Sequence, residues 1–313
     1  MLPGDDKNEC EIIPMPQKLF DPKSEIGQQY VQYLINRNRI WADKYIRKIP
    51  QRYDGDEILE NYHFCNIWRE TDRFSVEEIK RMKGLSLRDQ IILISIARLT
   101  LSWSTTDLLM DGATLDDIYD HWEYCKNSDA TFVSNAISFY PRAGSDRAKD
   151  IIDHRDDVFR YAGELEESIN KAQNGFYLFS KINLLYKHIG AFRAYEIFTS
   201  LTYSKHFQFT EHEACLVGPG AIGGLTYVTG QTVKPVHCDA IQYDLQEQVK
   251  EHLISLGDEF TWIPKKLQGN ARGKEEHKFT VRTLEDSLCE FRKYWNIKTG
   301  KGRRRKYYQG LLT

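Results

Sequence analysis

The sequence predicts an all-α protein. Apolar residues recur at helical spacing along most of the chain, and cap-forming side chains stand where those runs begin. No stretch sustains the strict alternation of a strand. Residues 1–24 read as a polar, extended lead-in carrying Pro3, Pro14, Pro16 and Pro22. From Ser24, the positions Ile26, Tyr30, Tyr33, Leu34, Trp41, Tyr45 and Ile49 mark a helix that Pro50 ends. A loop through Asp54, Gly55 and Asp56 leads into a second helical stretch, from about Glu57 through Phe64–Arg73.

Ser86 is placed to cap Leu87–Leu101, a run apolar on most sides and therefore expected at the centre of the fold. Thr114 caps an amphipathic run to Cys125, and Ser128–Tyr140 and Ser145–Ala172 continue the helical period. Gly175 and Gly190 punctuate two further helices, Phe176–Ile189 and Ala191–Tyr203. Two short helices, Thr210–Val217 and Ala221–Val228, flank a Gly218-Pro219-Gly220 turn and fit a helix–hairpin–helix near 210–228. The connector Gly230–Pro235 leads to a helix over about Asp239–Leu256, and the last helix spans about Val281–Trp295. The expected organisation is a helical catalytic domain over 25–296, single or built as two packed lobes, followed by a basic tail over 297–313.

Composition narrows the function. With 41% hydrophobic and 28% charged residues, the chain can bury a core and is not disordered throughout. No apolar run is long enough to span a membrane, and the first residues carry no secretory pattern, so a reduced, cytoplasmic setting is expected. A net charge of −2 requires any nucleic-acid contact to be a local basic patch. Cys10, Cys65, Cys125, Cys215, Cys238 and Cys289 form no close pair, which argues against zinc and iron–sulfur sites. Glu211-His212-Glu213 is not a hydrolytic zinc motif, and there is no P-loop, Rossmann or nucleophile-elbow pattern.

Three segments carry candidate chemistry. At Leu216–Leu225, free N–H groups at the start of the second hairpin helix (Gly220, Ala221, Ile222, Gly223) could bind a phosphate, with Gly218 opening the turn. Close helix packing explains the same glycines. In Phe64–Arg73, a helix would place Asn66, Arg69 and Arg73 on one face, with Asp72 pairing an arginine to make a rigid fork for phosphate oxygens. A salt-bridge network between helices explains it equally. In Glu285–Tyr294, Asp286, Glu290, Lys293 and Tyr294 share a face, where a carboxylate beside a lysine could act as general base and phosphate ligand. A solvated face of i, i+4 pairs is the plain reading. Arg303, Arg304 and Arg305 in the tail could contact a nucleic-acid backbone.

In this order, the pieces resemble the helical proteins of phage DNA hypermodification. These are the alpha-glutamyl/putrescinyl-thymine pyrophosphorylases and the helical domain attached to 5-hydroxymethyluracil DNA kinases. The resemblance rests on Phe64, Asn66, Ile67, Arg69, Glu70, Asp72 and Arg73 after a helix carrying Arg37 and Arg39, and on Leu87-Arg88-Asp89-Gln90-Ile91. It continues through Val217–Ala221 and through Leu288, Cys289, Glu290, Phe291, Lys293 and Tyr294, and spans about residues 30–308.

The resemblance implies a reaction. A pyrophosphorylated 5-hydroxymethyluracil in DNA loses pyrophosphate to an incoming amine, an amino acid or a polyamine. Arg69 and Arg73 would hold the pyrophosphate, with Asn66, Lys293 and Tyr294 in the substrate site. The hairpin amides would hold a DNA phosphate, and Asp72 or Glu290 would orient the cations or accept a proton. No cofactor is demanded; a magnesium ion accompanying the pyrophosphate is the one metal the chemistry invites. The implied partners are DNA carrying modified thymine, the amine donor and a 5-hydroxymethyluracil DNA kinase, in the host cytoplasm.

Two departures stand out. The chain has no P-loop of its own, and Gly224 stands where relatives would carry a basic residue. A rival reading comes from base-excision DNA glycosylases, which combine an all-α fold with a helix–hairpin–helix. Asp239, 19 residues after Gly220, falls near the spacing of their catalytic aspartate. A non-catalytic DNA-binding protein is the third reading.

Overall fold

The computed structural model describes residues 18–49, 55–134, 146–187, 189–233, 238–257 and 279–301. All regular structure among them is helical: α1 (Glu25–Ala42), α2 (Glu57–Asn61), α3 (Arg73–Arg81), α4 (Leu87–Thr100), α5 (Trp103–Met110) and α6 (Leu115–Lys126). Then follow α7 (Arg147–Lys171), α8 (Gly175–Leu185), α9 (Ala191–Leu201), α10 (Pro219–Thr229), α11 (Cys238–Ser255) and α12 (Val281–Lys298). A π-helical turn extends α1 over Asp43–Arg47, and a 3-10 turn spans Arg69–Thr71.

The caps explain where helices begin. The side chain of Ser24 accepts from the Gly27 amide, Ser86 from Asp89 and Thr280 from Thr283, each satisfying a donor that the first turn leaves open. Thr114 and Asp117 form a reciprocal capping box at α6. Asp146 caps α7 and Asn174 caps α8 in the same way.

The helices gather round two apolar cores. Ile91, Ile94, Ile151, Val158, Leu178 and Phe198 belong to the first, which α4, α7, α8 and α9 build. Tyr30, Leu34, Leu225, Leu245, Leu288 and Phe291 belong to the second, from α1, α10, α11 and α12. As expected of a central helix, α4 is buried at nearly every position. Among the described residues no helix is long and apolar enough to cross a membrane.

Several elements differ from the sequence reading. Residues 62–68 are not helical. Phe64, Ile67 and Trp68 have helical spacing because they anchor a loop into the second core. Residues 128–134 are not helical either, and 135–140 lie outside the described residues. Over 210–217 there is a turn followed by irregular backbone, so the first helix of the expected hairpin is absent. Ala214 and Cys215 in this stretch pack into the first core, as do Phe207 and Phe209 just before it, and they produce the apolar signal. The short helices α3 and α5 were not foreseen. Arg73, Glu77, Lys80 and Arg81 keep α3 polar on one side, and α5 is only eight residues long.

Candidate active site

The loop 64–72 is held by hydrogen bonds to its backbone from Arg37 of α1, from Glu290 of α12 and from its own Asp72. Asp72 accepts the Asn66 amide N–H at 2.9 Å through one carboxylate oxygen and Arg69 Nη1 at 3.1 Å through the other. The Asn66 side chain donates to the Thr71 carbonyl at 2.9 Å and accepts from Arg37 Nη2 at 2.6 Å. Arg37 also donates to the carbonyls of Phe64 and Cys65. From the facing helix, Glu290 accepts the Cys65 amide at 3.2 Å and pairs with Lys293 one turn on. Two successive amides of the loop are thus bound by Glu290 and Asp72.

Arg69 of this loop also joins a buried ionic seam between helices of the two cores. Glu196 on α9 accepts from Arg282 of α12 at 2.5 Å and from Arg69 at 2.9 Å, with Arg98 Nη1 at 3.7 Å. Arg282 also pairs with Glu285 at 3.2 Å and Asp286 at 3.0 Å. Arg98 makes a two-point contact with Glu78 and donates to Ser200. Such charges are tolerated inside because each is paired.

The seam reaches solvent at one edge. The side chains of Arg69, Asp72 and Asp286 are 15%, 16% and 14% exposed, and Lys293 is 43% exposed. Arg69 Nε and Asp286 Oδ2 have no hydrogen-bond partner among the described residues. Both atoms are buried, so this donor and acceptor lie beneath the edge, not on it. Burial and neighbouring charges set the protonation here. Desolvation pushes Asp286 up to about 6 against the pull of Arg282 and Arg69. Burial, reinforced by Glu211, pushes Glu70 up to about 8, and burial pushes Glu211 up to about 7. Although desolvation alone would raise Glu196, the arginines around it hold its carboxyl far below the usual range.

Comparison with known proteins bears on this arrangement. The family described as 5-hmdU DNA kinase, helical domain, matches residues 24–121 and 141–304. The chain belongs to this helical-domain family. A 5-hmdU DNA kinase of Bacillus phage SP10 is 25% identical over 338 residues, covering 94% of this chain and 50% of the kinase. The chain thus spans half the length of that relative. No solved structure matches. The family resemblance drawn from Phe64–Arg73 and Leu288–Tyr294 is thereby established, and the fold of this family member is all-α.

The structure brings Asn66, Arg69, Asp72, Glu290 and Lys293 together around the 64–72 loop, though not along one helix face. Arg73 is the first residue of α3 and is exposed. The hydroxyl of Tyr294 donates to Asp56 at 2.8 Å, which ties α12 to the cap of α2. Asp239 stands apart: it is exposed near the start of α11 and accepts the Val217 amide at 3.2 Å. Arg303, Arg304 and Arg305 lie outside the described residues.

The glycine segment is used differently from the expected phosphate cradle. The Gly218 amide donates to Glu285 at 3.1 Å, and the amides of Ala221 and Ile222 donate to the Gly218 carbonyl. These donors serve the protein itself. The glycines let α10 lie directly on α12. A Cβ at Gly220 would stand 2.3 Å from Cys289 Sγ, at Gly223 2.4 Å from Arg292 Cδ, and at Gly224 2.1 Å from the Leu288 carbonyl oxygen. That contact explains why no basic side chain occupies position 224.

Glu196, Arg98, Arg282, Glu70 and Glu211 were missed as site residues. A signal existed for two of them. Arg98 and Glu196 are charges inside α4 and α9, helices buried at almost every position of their central turns, and a charge so placed requires a partner.

Proposed function

We propose that the chain replaces the pyrophosphate of 5-pyrophosphoryloxymethyluracil in DNA with an amine. In this reaction the amine nitrogen bonds to the 5-methylene carbon. The carbon–oxygen bond breaks, pyrophosphate leaves with the electron pair, and a carboxylate takes the ammonium proton. The observation that carries this reading is the partly exposed end of the seam, where the side chains of Arg69, Asp72 and Asp286 are 14–16% exposed and Lys293 lies further along α12. Membership of the 5-hmdU DNA kinase helical-domain family supports the same substrate context.

In this reading Arg69, Arg73 and Lys293 face the charge of the leaving group, as preorganised cations suit a developing anion. Asp72 positions Arg69, and Glu290 positions Lys293 and the loop that carries Asn66. Asp286, with its raised affinity for a proton, serves as the base. Tyr294 anchors the outer part of α12, and the target base leaves the stack to reach this site. Arg303, Arg304 and Arg305 supply backbone phosphate contacts. A magnesium ion in this scheme would accompany the pyrophosphate, whose oxygens suit it. The partners are modified DNA, the amine and a kinase that prepares the base, in the cytoplasm of a phage-infected host.

Nucleoside mass spectrometry tests the reading. DNA carrying 5-hydroxymethyluracil is pyrophosphorylated with a suitable kinase, then incubated with this protein and a mixture of amino acids and polyamines. An amine adduct with released pyrophosphate is the expected product. Unchanged nucleosides would point to a binding protein, and abasic sites to a glycosylase acting through Asp239.

A further inference from the structure

The turn between α3 and α4 and the turn that ends α9 border one cleft of about 280 Å³. Lys83, Gly84 and Gln90 line it from the first side, and Tyr203, Ser204 and Lys205 from the second. Gln90 and Ser204 are each only 2% exposed, and they tie the two turns together. The Ser204 hydroxyl donates to the side-chain oxygen of Gln90. The Gln90 side-chain nitrogen donates to the carbonyls of Met82 at 3.0 Å and Leu85 at 3.2 Å. Gly84 closes the first turn with a left-handed backbone, φ 83°. The cleft is therefore held open by buried contacts rather than by its exposed residues.

Lys83 and Lys205 are exposed, and they are the only charged residues among the described residues that line the cleft. Their neighbours Lys80 and Arg81 pair with Glu77. Lys83 and Lys205 make no side-chain hydrogen bond or ion pair among the described residues. Helix capping does not occupy them either. The carbonyls of Lys80 and Met82 at the end of α3, and of Ser200 and Leu201 at the end of α9, already accept backbone amides. Two ammonium groups thus border a preformed cleft that holds no counter-charge.

We infer that this cleft binds a phosphate group, and that the phosphate belongs to the backbone of the DNA. This rests on the DNA substrate of the reading above, not on the amine transfer. An ammonium group is a compact charge with three donors, suited to phosphate oxygens. With a net charge of −2 on the whole chain, contact with DNA has to come from local patches of this kind. The position fits as well. Helix α3 begins directly after Asp72 and ends just before the cleft. Its nine residues rise about 1.5 Å each, which sets the cleft roughly 14 Å along the helix from the 64–72 loop. That is about four base-pair steps of a duplex at ~3.4 Å each. A strand engaged at the loop can therefore present a phosphate to Lys83 and Lys205.

Anisotropy of a fluorescent duplex titrated with the full chain over a range of salt tests the site. The double variant Lys83→Gln/Lys205→Gln should bind about tenfold more weakly at low salt. Its slope of log affinity against log salt should be shallower by about one, as expected when one phosphate contact is lost. Lys126→Gln/Lys171→Gln makes the same charge change on α6 and α7 and should leave the slope as it is. Both pairs should keep the helical circular dichroism of the parent. Parental affinity and slope in the first double variant would overturn the inference, as would an equal fall in the second. Titration with inorganic pyrophosphate separates the two sources of phosphate. Pyrophosphate binding that the first double variant loses, with DNA binding unchanged, would overturn the DNA source and leave a site for a free anion. A parent chain that binds no DNA would sink the DNA reading and this inference with it, whereas unchanged binding in the first double variant sinks this inference alone.

Discussion

Glu196 on α9 accepts a hydrogen bond from Arg282 on α12 at 2.5 Å, and this contact links the helices of one apolar core to those of the other. Arg69 joins the same carboxylate, so Glu196 also holds the 64–72 loop. Replacing Glu196 by Gln leaves Arg282 and Arg69 buried beside a neutral group. Breaking a buried pair from one side costs about 3–5 kcal/mol. Urea unfolding of Glu196→Gln should show a loss of that size. A loss below about 1 kcal/mol, the range of exposed pairs, would mean that water screens the seam.

Stability should also depend on pH with a definite sign. Burial raises Glu70 and Glu285 to about 8 and Glu211 to about 7. Folded protein therefore binds more protons than unfolded protein between the ordinary carboxylate range and pH 8, and stability falls as pH rises through that window. Glu196 acts in the opposite sense. Held low by its arginines, it contributes stability above the ordinary carboxylate range that is lost as pH falls further. Melting temperature should peak near about pH 5, between these windows. Glu70→Gln should flatten the decline towards pH 8; an unchanged slope would show that Glu70 titrates as an exposed acid.

Two glycines should respond in opposite directions to alanine. In α10, the Cβ of Gly224→Ala would meet the Leu288 carbonyl oxygen at 2.1 Å, a backbone atom that cannot swing aside. Separating α10 from α12 should cost at least about 1–3 kcal/mol. In α7, Gly163 has nothing within 4 Å of its added Cβ, so Gly163→Ala should gain about 0.4–1 kcal/mol. Thermal melts of the two variants check both signs.

Helix starts were legible because capping is local: Ser24, Ser86 and Thr114 sit beside the amides they serve. The contacts around the 64–72 loop were partly legible, since Asn66, Arg69, Asp72, Glu290 and Lys293 do meet. Their geometry was not, because Phe64, Ile67 and Trp68 mimic a helix while anchoring a loop. The seam was hidden for a different reason. Glu196 and Arg282 are far apart in sequence, and only tertiary packing brings them together. The Gly218–Gly224 segment offered two readings, and the packing of α10 on α12 accounts for its glycines.

The chemistry itself separates Arg69 from Asp239. Arg69 is 15% exposed beside Asp72, so in the proposed reaction Arg69→Gln removes a cation from the leaving group while Glu196 keeps Arg282. Loss of one preorganised electrostatic contact costs about a hundredfold or more in the chemical step. Single-turnover amine transfer should fall by about that factor in Arg69→Gln, with DNA affinity nearly unchanged. Asp239→Asn should behave otherwise. Its carboxylate is exposed and bonded to the Val217 amide, and asparagine retains an acceptor oxygen for that bond. Transfer in Asp239→Asn should stay close to the parent rate. The reverse pattern, with Asp239→Asn inactive and Arg69→Gln at full rate, would move the reaction to the start of α11 and favour base excision.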